Sequence, residues 1–193
     1  TGTKLATVNI NTTGSASTPD LIDVGPAKTI NLDAGAKLTL SGGLQTSDGT
    51  ATINLTGASD VSLGVLDNDV DSLAAGSYTG KLTVTGPADN AKLVATFGSG
   101  ADKFTTDDDG FATTDKFAID AGSGEDTLVL AANADISSAD EGGRYTNFDI
   151  LQRALDSNYD TQYLNSSIDA ASIGDGGLTT MPAAMAGAIS VTA

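Results

Sequence analysis

The sequence contains no cysteine, no histidine and no tryptophan, and phenylalanine and tyrosine are scarce. Without histidine or cysteine, the common nucleophile and base pairs of enzymes are excluded, and so are most zinc sites. A carboxylate pair for glycoside hydrolysis exists in principle. However, aromatic side chains that stack on sugars are few, and no Gly-x-x-x-x-Gly-Lys phosphate loop occurs. We therefore expect a protein that is not an enzyme.

Positive charge is also scarce, because 9 lysine and arginine residues stand against 25 acidic residues, for a formal net charge of -16. This balance excludes nucleic acid and a bare anionic membrane surface as partners. Glutamate is nearly absent too, since Glu125 and Glu141 are the only glutamates. Aspartate makes up the remainder, and it favours turns and sites for hard cations such as Ca²⁺.

No apolar run is long enough to span a membrane, so we expect no membrane insertion. The first residues, TGTKLATVNI, lack the apolar segment of a signal peptide. The lack of cysteine, together with abundant threonine and glycine, fits a bacterial extracellular protein. Because the last residues, AISVTA, look like a strand, we expect the chain to be a piece of a longer protein.

Short segments in which apolar and small polar residues alternate fill much of the chain. This period of two is the signature of a β-strand with one buried face. The segments are residues 6–12, 28–34, 36–42, 51–57, 60–66, 80–86, 91–98, 115–122 and 126–132. Between them lie clusters of glycine, aspartate, asparagine and serine, which predict turns.

These segments predict an all-β fold, either a parallel β-solenoid or a β-sandwich. Small aliphatic residues, the similarity of the segments and the lack of two-residue hairpin signals other than Asp48-Gly49 favour a solenoid with irregular coils. We predict this ladder over residues 1–152. Residues 153–193 read as an excursion of loop and short helix followed by a returning strand, and residues 149–158 fit either a strand or a short helix.

Two loops carry the same pattern, Gly-x-Gly-x-Asp-x-apolar. The residues of the two copies are Gly98, Gly100, Asp102 and Phe104, and Gly122, Gly124, Asp126 and Leu128. Glycine turns sharply and exposes carbonyl groups, and aspartate supplies carboxylates, which are the oxygen ligands that Ca²⁺ prefers. The glycines and aspartates of both loops are therefore predicted calcium ligands, and the apolar residue is predicted to anchor each loop in the core.

Two further groups of aspartates are candidate ligands. Asp67 and Asp69 lie in the run Asp-Asn-Asp-Val-Asp, although such clusters also form turns and caps. The run that contains Asp107 and Asp109 does not fit an EF-hand loop, because neither anchoring position is acidic. One of these two aspartates would still be able to complete a site that Asp102 begins.

The two glycine loops resemble the repeat Gly-Gly-x-Gly-x-Asp-x-apolar-x of the repeats-in-toxin proteins, which form a calcium-filled β-roll. Phe97 and Ala121 replace the leading glycine, and the copies lie 24 residues apart. The resemblance therefore implies two separate calcium sites rather than a regular roll.

The surrounding sequence, over residues 50–152, resembles type I-secreted surface-layer proteins of Gram-negative bacteria, with threonine-rich segments and a closing Asn-Phe-Asp-Ile run. This resemblance implies a calcium-stabilised structural module that folds after secretion and assembles with itself at the cell surface. Cell-surface polysaccharide is a further candidate partner. Two alternatives stay open. The chain is also compatible with a binding domain of a large adhesin that contacts a host, a glycan or ice, or with an accessory domain of a secreted hydrolase.

Overall fold

The computed structural model describes residues 5–88, 92–106, 116–131, 136, 138–153, 159–160, 163–164, 167–173, 178–180 and 189–191. It is a parallel β-solenoid of about 6 turns with almost no helix. Sheet A contains, in spatial order, β1 (Thr7–Thr12), β3 (Thr29–Ala34), β6 (Ala51–Gly57), β8 (Val70–Ala74), β10 (Val94–Thr96), β12 (Ala118–Asp120) and β14 (Tyr145–Thr146). Sheet B contains β4 (Leu38–Thr39), β7 (Val61–Val65), β9 (Leu82–Thr85), β11 (Lys103–Thr105), β13 (Thr127–Leu130), β15 (Ile150–Arg153), β17 (Ala170–Ile173) and β19 (Ile189–Val191).

Smaller elements complete the described part of the chain. The N-terminal coils have a third side, sheet C, in which β2 (Leu21–Asp23) pairs with β5 (Gly43–Gln45). Near the C-terminus, β16 (Tyr159–Asp160) pairs with β18 (Leu178–Thr180), and α1 (Ala139–Gly142) is a single helical turn. Among the described residues, no helix has the length and apolar character needed to cross a membrane.

The solenoid forms because alternate side chains of each strand point inward and stack on the same position of the next coil. In sheet A, Ile30 pairs with Ile53, Ile53 with Leu73, and Leu73 with Ala95, and all of these side chains are buried. In sheet B, Val84 pairs in the same way with Phe104, and Phe104 pairs with Leu128, and these three side chains are also buried. The interior is therefore a narrow set of apolar columns, aliphatic in the early coils, as small apolar residues in alternating positions predict. In the later coils it also contains buried rings in contact with one another, those of Phe97, Phe104, Phe117 and Tyr145.

The coils differ in length, which explains the irregular spacing of the segments in the sequence. Ala171 pairs with Ile189, 18 residues later, whereas Ile119 pairs with Tyr145, 26 residues later. The strands keep their register while the connecting corners absorb the difference. All pairs of named strands in the described part are parallel, which excludes the β-sandwich alternative.

The predicted strands agree well with the structure, since each of the nine alternating segments contains a strand. The Asp48-Gly49 hairpin does not form, because β5 pairs with β2 whereas β6 pairs with β3 and β8. For residues 149–158, the strand interpretation is correct over Ile150–Arg153. Beyond residue 152, β17 and β19 continue sheet B, and β19 is the predicted returning strand.

Candidate metal centre

The two Gly-x-Gly turns lie one above the other at the corner between sheets A and B. The N–H of Ser123 donates to the carbonyl of Gly98 at 2.9 Å, and the N–H of Ser99 donates to the carbonyl of Tyr78 at 3.0 Å. A Cβ atom on Gly98 would lie 1.8 Å from the Tyr78 carbonyl oxygen, and one on Gly122 would lie 2.3 Å from that of Gly98. These glycines are therefore required by the close approach of successive coils.

Gly100 and Gly124 repeat this contact one step further along the turn. A Cβ atom on Gly124 would lie 2.1 Å from the carbonyl oxygen of Gly100, and one on Gly100 would lie 2.2 Å from the carbonyl oxygen of Gly80. The apolar residues that follow the turns are fully buried and paired in register, Phe104 on Leu128. The prediction that these two side chains anchor the loops in the core is confirmed.

Asp102 and Asp126 are neighbours in consecutive coils. Lys103 pairs with Thr127, so the residues that precede them lie in register, and the N–H of Asp102 donates directly to Oδ1 of Asp126 at 2.7 Å. The 24 residues between the two aspartates are one coil of the solenoid. The two positions are therefore not separate, as the spacing had led us to expect, but adjacent members of one column.

The aspartates replace backbone carbonyls in the hydrogen bonding of this column. In an earlier coil, the N–H of Val61 donates to the carbonyl of Lys81 at 2.9 Å. One coil later, the N–H of Leu82 donates instead to Oδ1 of Asp102 at 2.7 Å. In the next coil, the N–H of Asp102 likewise donates to Oδ1 of Asp126 and not to a backbone carbonyl. The side chains thus satisfy backbone donors that the glycine turns leave without a carbonyl partner.

The column also changes from apolar to acidic along the solenoid. Leu82 is fully buried, and the next two side chains in register, Asp102 and Asp126, are only 1% and 0% exposed. Oδ2 of Asp102 and Oδ2 of Asp126 are buried and have no hydrogen-bond partner among the described residues. Two carboxylates thus occupy core positions with one oxygen of each unsatisfied, which is costly unless a proton or a cation compensates them.

The electrostatics of the column agree with its burial. Burial raises the pKa of Asp126 to about 6; the N–H of Asp102 opposes this shift, and the negative charges of Asp102, Asp149 and Asp120 add to it. Burial likewise raises the pKa of Asp102, against the hydrogen bond from the N–H of Leu82. The folded chain therefore holds two carboxyl groups that resist ionisation unless positive charge is supplied.

Asp149 extends the column, although the sequence patterns did not identify it as a candidate ligand. Its Oδ2 accepts the N–H of Asp126 at 2.8 Å, and its carbonyl accepts the N–H of Asp169 in the following coil at 3.1 Å. Asp149 is half-buried and Asp169 is exposed. No Gly-x-Gly turn precedes either residue, so the loop pattern did not predict that they belong to the column. The signal in the sequence that would have identified them is an aspartate directly before a strand, β15 in one case and β17 in the other.

Asp67 and Asp69 lie at another corner, before β8. Oδ1 of Asp67 accepts the N–H of Asp69 at 2.9 Å, and Oδ2 accepts the N–H of Thr46 at 3.4 Å. Both carboxylate oxygens of Asp67 thus serve a turn and its contact with the preceding coil. Asp107 and Asp109 lie outside the described residues, so their role as ligands stays a prediction.

The donors in the column suit a hard cation, although no three acidic side chains of the described residues form a ready-made metal cluster. Each coil supplies one carboxylate, and the unsatisfied oxygens belong to Asp102 and Asp126. Calcium accepts a varied set of carboxylate, carbonyl and water oxygens. The residues present therefore fit Ca²⁺ held by these two carboxylates, with Asp149 as the nearest further acid in the column.

The chain matches no protein-family model, and neither a curated protein nor a solved structure is significantly similar to it.

Proposed function

We propose that the protein is a non-catalytic structural module, a calcium-stabilised β-solenoid of a secreted surface-layer or extracellular-matrix protein that assembles with copies of itself. The observation that carries the proposal is the pair of buried carboxylates in consecutive coils, Asp102 and Asp126, each with one unsatisfied oxygen. A cation bound there compensates two charges that the solenoid otherwise holds in its core.

Calcium fits this position better than other common metals. The sequence has no histidine or cysteine, so only oxygen ligands are available, and these favour Ca²⁺ and Mg²⁺ over Zn²⁺. Magnesium requires near-ideal octahedral geometry, whereas calcium tolerates irregular sets of ligands. The column supplies one carboxylate per coil at a corner formed by glycine turns, so its oxygens form an irregular set of ligands.

Calcium binding would also couple folding to location. The chain has a net charge of -16, and close carboxylates destabilise a compact state through repulsion. An ion that binds the folded state alone stabilises it by mass action. Extracellular fluids are rich in calcium and the cytoplasm is poor in it, so a chain of this design folds after export.

Self-assembly is supported by the outer face of sheet A, in addition to the resemblance to surface-layer proteins. The side chains of Asn9, Asn31 and Asn54 form a ladder, in which the amide of Asn31 donates to Oδ1 of Asn9 and the amide of Asn54 donates to Oδ1 of Asn31, both at 2.8 Å. Side-chain ladders of this kind keep a sheet flat and regular. The ladder covers three consecutive coils, and a regular polar face of this kind suits side-by-side packing of identical molecules.

Circular dichroism and light scattering during a calcium titration, reversed with a chelator, test the proposal. We expect β-structure and thermal stability to rise with calcium and to fall again on chelation, and particle size to rise after the chain has folded. A fold that is indifferent to chelation contradicts the calcium part. Calcium-dependent folding of a chain that stays monomeric contradicts the assembly part and favours the adhesin-domain alternative.

A further inference from the structure

The outer surface of sheet B gathers lysines in a strongly acidic protein. Lys37, Asp60 and Lys81 occupy the same position in three consecutive coils, since the residues that follow them pair in register. Lys103 lies in the next coil, paired with Thr83. Coils are about 4.8 Å apart, so the ammonium groups of Lys37 and Lys81 can span about 10 Å along the solenoid.

Asp60 lies between Lys37 and Lys81 in register, and its Oδ1 atom accepts the backbone N–H of Lys81 at 3.4 Å. The ion pairs between described residues are Lys28 with Asp48 and Arg144 with Asp140, and none involves the lysines of sheet B. Lys103 donates instead to the Oε1 atom of Gln152 at 2.9 Å. Three lysines around one aspartate leave a locally positive patch on this face, which an anion would stabilise.

A groove of about 240 Å³ lies between Lys37 and Lys81. Its other polar side chains are Asp60, Thr39, Ser62 and Thr83. This volume is below the roughly 300–1,000 Å³ of pockets that enclose a drug-sized ligand, so the groove suits a segment of a longer chain. The hydroxyl groups both donate and accept hydrogen bonds, and the carboxylate of Asp60 only accepts them.

We infer that this groove and the adjoining Lys103 bind an acidic polysaccharide, a sugar chain with carboxylate or sulfate groups, laid along the stacking direction of the coils. Lysines two coils apart contact successive acidic groups, and Asp60 and the hydroxyl side chains accept the hydroxyl protons of the sugar. Asp60 distinguishes an acidic polysaccharide from other acidic partners. It would repel an acidic peptide or the acidic surface of a second copy, which offer carboxylates without sugar hydroxyls.

The inference is tested with hyaluronan octasaccharide as the acidic probe, maltooctaose as the neutral probe and poly-aspartate as the acidic peptide, all at one fixed calcium concentration. Titration calorimetry should show hyaluronan binding that weakens with added salt. The double variant K37Q/K81Q should bind hyaluronan about tenfold more weakly, as expected from the loss of two exposed charge contacts. The matched control K28Q/K116Q, with the same change in net charge, should stay within about twofold. Circular dichroism verifies that each variant is folded.

The D60A variant gives the sharpest comparison, because the two acidic probes should respond in opposite directions. We expect hyaluronan to bind more weakly, since an acceptor for its hydroxyl groups is lost, and poly-aspartate to bind more tightly, since a repulsion is removed. The inference is overturned if hyaluronan does not bind, if maltooctaose binds equally well, or if the control variant loses as much affinity. Tighter binding of both acidic probes to D60A would instead identify an acidic protein surface as the partner.

Discussion

Asp126 combines two roles that substitutions can separate. Its Oδ1 atom accepts the N–H of Asp102 at 2.7 Å, and its side chain, 0% exposed, carries a charge whose second oxygen has no hydrogen-bond partner in the described structure. The first role holds two coils together in every condition. The second role destabilises the fold when calcium is absent and attracts the ion when calcium is present.

The variants D126N and D126A should therefore behave differently in calcium-free buffer at neutral pH. D126N keeps the Oδ1 acceptor and removes the buried charge, so its free energy of unfolding should equal or exceed that of the wild type. D126A leaves the N–H of Asp102 unpaired and should be less stable than D126N by about 1–3 kcal/mol. Urea unfolding measures both values, and equal destabilisation of the two variants would contradict the hydrogen-bonding role.

The raised pKa of Asp126 fixes the sign of a pH dependence. Its folded-state pKa of about 6 lies above the ordinary value of 3.8 that holds in the unfolded chain, so the folded state binds the proton more tightly than the unfolded state. The resulting stability is complete below pH 3.8 and is lost as the pH rises through about 6. Urea unfolding of calcium-free protein should show the wild type losing stability relative to D126N over this interval. Parallel profiles of the two proteins would refute the assignment.

At the scale of elements, the glycine turns are set by the distance between coils. The Cβ of an alanine at position 98 would meet the Tyr78 carbonyl oxygen at 1.8 Å, whereas one at position 76 would lie 3.6 Å from the Cγ2 atom of Thr96, an ordinary contact. The G98A variant should lose about 3 kcal/mol or more of unfolding free energy, because two backbones must separate. The matched variant G76A should change the unfolding free energy by about 1 kcal/mol or less. Thermal unfolding compares them, and similar losses would contradict the stacking of the turns.

Elements with strict alternation were predictable from the sequence, and those with a disturbed period were not. The buried residues of β8, Val70 and Leu73, are three apart, because the register with β6 shifts between Ala51 and Thr52. The extra residue breaks the period of two that marks a strand. The short strand β11 has only Phe104 facing the core among its three residues, so it was predicted from the apolar residue after the glycine turn and not from alternation.

The pairing of coils could not be predicted from single segments. Asp102 and Asp126 were both recognised, yet their contact depends on a coil of 24 residues in a ladder whose coils vary in length. Asp149 was not predicted because the corner that precedes it contains no Gly-x-Gly turn. The residue types thus predicted an oxygen-ligand site, whereas the register, which only the folded ladder defines, determines which carboxylates share it.

At the scale of the whole molecule, the acidic column divides the solenoid into two parts. The N-terminal coils close the column with Leu38, Val61 and Leu82, which are stable without ions because burial of apolar surface is favourable. The following coils replace these side chains with Asp102 and Asp126. Calcium should therefore stabilise the second part of the ladder, where buried carboxylates replace the aliphatic side chains of the column.

Calcium binding by the column is the central claim, and titration calorimetry with matched variants tests it most directly. The wild type should bind Ca²⁺, and D102N/D126N should lose this binding, because the amides keep the Oδ1 acceptors but supply no charge. The control D67N/D69N, with the same change in net charge at the other aspartate corner, should bind as the wild type does. Wild-type calcium stoichiometry and affinity in folded D102N/D126N would contradict the account.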